Sequence, residues 1–154
     1  MASLKESLQA DLTSAIREKQ TAVTGTLRMV LSAITNEEVS GKVARELSDQ
    51  EVMQVLTREA KKRKEAATAF DDAARPELAA KELEELEIIS RYLPEALSED
   101  AIAAIVAAAV AEVTAAGQTG PSAMGAVMKL VTPQVAGRAD GGQVAASVKA
   151  ALAN

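Results

Sequence analysis

The sequence predicts an all-α fold, with an N-terminal bundle of about four helices followed by a small C-terminal unit of three. Three observations predict it. Apolar residues recur every three to four positions along nearly the whole chain, the spacing of one face of a helix. No stretch alternates apolar and polar residues as a half-buried strand does. Alanine, the best helix former, is abundant, whereas the chain holds one Phe, one Tyr and no Trp, so the core is aliphatic and its helices approach closely.

The elements follow in order. Leu4, Leu8, Leu12 and Ile16 form the first stripe, opened by Ser3 and Glu6 in the pattern of a capping box. Val23, Leu27, Val30, Leu31 and Ile34 form the second, which runs toward Gly41. A second capping box, Ser48 with Glu51, opens a long third helix through Val52, Val55, Leu56 and Phe70. Pro76 suits the first turn of a fourth helix carrying Leu78, Leu83, Leu86, Ile89 and Leu93, and Pro94 ends it by disfavouring helical geometry at Leu93. The composition then shifts. Residues 1–96 carry 14 basic and 18 acidic side chains, residues 97–154 only 3 and 4, so the boundary between an N-terminal domain (1–96) and a C-terminal domain (97–154) falls near residues 94–98. Ser98 caps a fifth helix with Ile102, Ile105, Val106, Ala109, Val110 and Val113 inside, and Gly117 terminates it. Met124, Val127, Met128 and Val131 mark a short sixth helix; Asp140 caps a seventh with Val144, Val148 and Leu152. Gly125 within the sixth helix costs roughly 1 kcal/mol relative to Ala, for which close helix packing is the simplest compensation.

Composition also narrows function. The chain has no Cys and no His, which removes disulfides, thiolate nucleophiles, imidazole bases and the usual zinc or haem ligands. Adjacent carboxylates such as Glu37–Glu38 and Glu84–Glu85 diverge by about 100° on a helix and do not converge on one atom. No serine sits in a nucleophile elbow. No autonomous catalytic activity is therefore expected, and nothing calls for a metal or cofactor. The longest apolar run, Ala101 to Ala111, is about half the roughly 20 residues a bilayer requires, and the opening residues lack the apolar core of a signal peptide, so a cytoplasmic location is expected. A net charge of −5 repels phosphate in bulk, and any nucleic-acid contact needs a local basic patch.

Such a patch is present in the third helix. At about 100° per residue, Arg58, Lys61, Lys62 and Lys64 fan across the side opposite Val52, Val55 and Leu56, a spacing that suits a run of phosphates. Without interleaved aromatics it is unsuited to stacking single-stranded bases and suits the backbone of a folded RNA. Arg63 and Glu59 point instead along the apolar face, and the same calculation places Glu82 on the apolar face of the fourth helix. Because an unpaired buried charge is costly, Arg63 is expected to pair with Glu59, Glu82 or both. Gly137-Arg138-Ala139-Asp140-Gly141-Gly142 precedes the seventh helix; Asp140 and an incoming anion compete there for the same backbone N–H groups, and capping by Asp140 is the simpler use.

Taken together, these segments resemble the GatB/YqeY family. Leu27-Arg28-Met29 with Ala33-Ile34 and Asn36-Glu37, Lys61-Lys62-Arg63-Lys64-Glu65-Ala66, Arg75 with Leu78, Lys81-Glu82 and Glu85-Leu86, Tyr92-Leu93-Pro94, Met124-Gly125 with Met128, and Gly137-Arg138-Ala139-Asp140-Gly141 match its motifs in the family's order across essentially the whole chain. The resemblance implies a two-part helical fold and a stand-alone YqeY-like protein. The resemblance also implies a relationship to the C-terminal region of the B subunit of the tRNA-dependent Asp/Glu amidotransferase, where that region is regarded as an appendage that holds tRNA. It further implies tRNA as partner, through Lys61, Lys62, Lys64, Arg138 and Lys129, beside an amidotransferase or an aminoacyl-tRNA synthetase. The family label of carbon–nitrogen ligase with glutamine as amido-N-donor would then belong to a component of a larger enzyme. An alternative class, a helical protein-interaction adaptor, rests on the Ala- and Met-rich stripes of the C-terminal unit.

Overall fold

The computed structural model describes residues 1–153, which form seven α-helices and one short 3₁₀ turn, with no strand among the described residues. The chain divides into two compact units, Met1–Pro94 and Glu95–Asn154.

The first unit contains α1 (Leu4–Arg17), α2 (Thr21–Glu38), α3 (Asp49–Asp72) and α4 (Pro76–Ser90). Short turns fold α2 back on α1 and α4 back on α3, and α2 packs against both α3 and α4. Leu8, Leu27, Val30, Ile34, Val52, Leu56 and Ile89 are all but fully buried at the centre. Ile16 and Leu83, whose spacing suggested the core, are about half exposed (48% and 49%). Ala15 and Ala79 are buried near them, because close helix approach favours the smaller side chain. Two helix ends turn without glycine: Lys19 and Ala74 both take a left-handed conformation at φ 57°.

Both capping boxes form. Ser3 Oγ accepts from the Glu6 N–H while Glu6 accepts from the Ser3 N–H at 2.7 Å, and Ser48 and Glu51 exchange the same pair of bonds. The start of α1 is tied to the start of α3 by the Leu4 N–H donating to Asp49 at 2.9 Å, and Lys5 pairs with Glu38 at 2.8 Å. Tyr92, just beyond α4, donates to Asp11 of α1 at 2.5 Å; burial and that carboxylate push its phenol well above the ordinary range, so it remains a donor. Replacing Ser48 by alanine removes the acceptor for the Glu51 N–H. It is expected to lower the stability of this unit by about 1 kcal/mol, read as a shift in denaturant midpoint at unchanged slope.

The second unit contains α5 (Glu99–Ala115), a 3₁₀ turn at Pro121–Ala123, α6 (Met124–Val135) and α7 (Gly141–Leu152). The three helices pack on one another around Ile102, Val106, Val127, Val131, Val144 and Val148. Ser98 caps α5 by accepting from the Ala101 N–H at 3.1 Å, and Asp140 caps α7 by accepting from Gly142 at 2.7 Å and Gln143 at 3.2 Å. Gly125 is exposed, and a Cβ there would meet nothing within 4 Å. Close packing therefore does not explain this glycine, whose place in the first turn of α6 already lowers its cost. The apolar stripes that motivated an adaptor reading are largely consumed by the unit's own core, with Met124 and Met128 packed against it. Among the described residues, the large apolar side chains left exposed all belong to the first unit.

Candidate functional site

In the first unit, α2, α3 and α4 enclose an open cleft of about 610 Å³. Helical periodicity brings its lining together. From α2, Arg28, Ser32 and Asn36 fall one turn apart with Met29 and Ala33 beside them; α3 supplies Glu59, Lys62, Arg63 and Ala66; α4 supplies Glu82 and Glu85.

At its floor lies Arg63, only 4% exposed. Its Nη1 donates to the Glu59 carboxylate and, at 3.3 Å, to the Glu59 carbonyl oxygen; its Nε donates to Glu85 Oε2 at 3.3 Å. Its Nη2 meets the Met29 Sδ at 3.9 Å. Glu59 is itself 9% exposed and also receives Lys62 Nζ at 3.0 Å. Burial pushes the Glu59 carboxyl up, but hydrogen bonds from Lys62 and Arg63 outweigh it and hold the group below the ordinary glutamate range. The partner contributed by α4 is Glu85, not Glu82. The frame that selected Glu82 gave weight to Leu83, which is about half exposed. Between Glu82 and Glu85 the helix turns by about 60° and rises about 4.5 Å, and Arg63 lies opposite the second of them. Glu82 is half-buried and lines the cleft.

The other cations of α3 are exposed. Arg58 pairs with Glu37 of α2 at 3.0 Å, Lys61 lies 4.0 Å from Glu65, and Lys64 makes no ion pair with the described residues. In the second unit, Lys129 is exposed on α6. Arg138 is exposed in the loop before α7, where its Nε donates to the Glu95 carbonyl at 3.3 Å and its own carbonyl accepts from Leu97 at 2.8 Å. These contacts tie that loop to the start of the unit. With Asp140 occupying the first N–H groups of α7, that helix start is already satisfied. Arg28, Ser32, Asn36 and Glu85 were not singled out as site residues from the sequence. The signal that points to the first three is a polar line at i, i+4 and i+8 on α2; Glu85 carries no comparable mark.

Two further carboxylates share the depressed state of Glu59. Hydrogen bonds from Arg45 and from Ser48 hold Glu51 down to about 2, and Lys5 lowers Glu38. A carboxylate whose folded pKa lies below its unfolded value stabilises the fold fully above the unfolded value. That contribution is lost as pH falls through the folded one. The first unit is therefore expected to hold constant stability at neutral pH and to lose it from about pH 4.3 down toward about pH 2. Denaturant midpoints measured across that window check this, and Glu59→Gln should flatten the profile.

A model of the YqeY-like protein family matches residues 5–152. A protein of Clavispora lusitaniae named altered inheritance of mitochondria protein 41, mitochondrial, is 36% identical over 100 residues, which cover 63% of this chain and 57% of that protein. An uncharacterised protein of Schizosaccharomyces pombe is 33% identical over 92 residues, 60% of this chain and 73% of that one. The chain thus spans little more than half the length of the first relative. With motifs from α2 through α7 in one order and the family match running through both units, the chain belongs to the YqeY-like protein family.

Proposed function

We propose that this protein is a non-catalytic accessory module that holds tRNA through the exposed cations of α3. The carrying observation is the run from Arg58 to Glu65, which sets five cations against two carboxylates on a chain whose net charge is −5. Four of those cations are exposed, and Lys64 has no carboxylate partner among the described residues. The partners held by Arg58 and Lys61 are no obstacle, since exposed ion pairs contribute at most about 1 kcal/mol and yield to a closely spaced line of phosphates. Glu59, the carboxylate nearest Lys62, is already neutralised from below by Arg63. Lys129 and Arg138 add a second, smaller contact on the C-terminal unit, and the two units act as separate domains.

The family relationship supports the same reading, because the related tail of the amidotransferase B subunit is regarded as a tRNA-holding appendage. A tRNA partner fits the cytoplasmic location expected from the sequence and equally the mitochondrial one in the name of the Clavispora relative, since tRNA is present in both. The test is a titration of tRNA at about 50 mM and about 200 mM salt. Affinity should fall steeply between the two; no binding at the lower salt rejects the proposal.

A further inference from the structure

The cleft between α2, α3 and α4 presents a hydrogen-bonding edge that its own residues leave unused. Arg63 is anchored through Nη1 and Nε by Glu59 and Glu85 and is 4% exposed, so its orientation is held by the protein. Its Nη2 meets only the Met29 thioether, a weak acceptor, at 3.9 Å. On α4, Glu85 commits one oxygen to Arg63, and Glu82 accepts no hydrogen bond from the described residues. A fixed donor therefore lines the same cleft as the carboxylates of Glu82 and Glu85. Three cations (Arg28, Lys62 and Arg63) balance three carboxylates (Glu59, Glu82 and Glu85) in the lining, so the cleft offers no net attraction to a free anion. A phosphate set against Arg63 would meet Glu85 and share the cleft with Glu82. A neutral group carrying a carbonyl beside an N–H satisfies both sides at once. The volume, about 610 Å³, lies within the range of small-molecule sites, roughly 300–1,000 Å³.

We propose that this cleft receives a single unpaired nucleobase through a lactam edge, a ring carbonyl next to a ring N–H. Guanine and uracil carry that edge. The carbonyl accepts from Arg63 Nη2 in place of the Met29 thioether, and the ring N–H donates to the Glu82–Glu85 pair. Adenine has no carbonyl to offer. Cytosine presents an acceptor nitrogen where the carboxylates require a donor. Guanine adds its exocyclic amino group as a second donor and ranks above uracil. Lys62 and Arg28, both exposed on the cleft, are placed to meet the attached phosphate. The inference rests on the RNA reading for the source of the base, because folded RNA displays unstacked bases in its loops.

The experiment is methyl NMR of the full chain labelled at its methionines, with Met29→Leu used only to assign the Met29 signal. GMP, UMP, AMP, CMP and inorganic phosphate are titrated in turn. GMP and UMP should move the Met29 methyl and bind at least about tenfold tighter than AMP and CMP. Glu82→Gln, at a half-buried position without a hydrogen-bonding partner, should leave stability unchanged and weaken GMP binding by about tenfold. An equal response to all four nucleotides, or to phosphate alone, overturns the lactam assignment. So does a silent Met29 methyl at saturating tRNA, an outcome that leaves the RNA reading standing. A methyl that moves with GMP in a protein that binds no tRNA supports the base site and rejects that reading.

Discussion

Replacing Arg63 by methionine lowers the stability of the first unit by about 3 kcal/mol, with a fall of its thermal midpoint of about 12–24 °C. The size follows from what the substitution leaves behind. Glu59 is 9% exposed and keeps only Lys62, and Glu85 loses its ion-pair partner. Breaking a buried pair by removing one side costs about 3–5 kcal/mol because the other charge stays desolvated. The lower end applies, since Lys62 still reaches Glu59 at 3.0 Å and the Glu85 side chain is 14% exposed. Changing Glu59 to methionine as well should restore most of the loss, because the unpaired carboxylate at the floor goes and the volume is filled by apolar groups. Tyr92 is the chain's one tyrosine, there is no tryptophan, and it hydrogen-bonds within the first unit, so its fluorescence reports this unit alone. A single variant as stable as the wild type would mean that water, not protein, sets the energy of Arg63.

Reversing Lys61, Lys62 and Lys64 to glutamate together weakens tRNA binding and reduces its dependence on salt. Each phosphate contact releases about one counterion, so losing three lowers the slope of log affinity against log salt by about 3. All three side chains are exposed, and the fold should survive. Lys62→Glu does set a second carboxylate beside Glu59, which is 9% exposed. A Lys61→Glu/Lys64→Glu variant that leaves Lys62 in place separates the two effects: it should lower the slope by about 2 with an unchanged denaturant midpoint. Unaltered affinity and slope in the triple variant would exclude α3 as the RNA-binding surface.

How much of this was legible before the structure differs by residue. Capping boxes at Ser3 and Ser48 and the caps at Ser98 and Asp140 are written in side chains three or fewer positions apart, so local chemistry reveals them. The turns at Lys19 and Ala74 carry no glycine and leave no such mark; both residues are exposed, and local backbone bonds, Gln20 N–H to the Ala15 carbonyl and Arg75 N–H to the Phe70 carbonyl, close them in the left-handed conformation. The buried direction of Arg63 follows from the helical angle alone. Its α4 partner does not: Glu82 and Glu85 are both reachable by angle, and only the sliding of α4 along α3 selects between them.

The seven helices, their aliphatic faces and the cation-rich side of α3 were determined by the order of the residues, since period and charge are properties of a single helix. The cleft was decided by tertiary structure alone. Its lining is drawn from three helices and runs from Arg28 to Glu85 in the chain, and no local pattern encodes which faces of α2, α3 and α4 will stand across from one another.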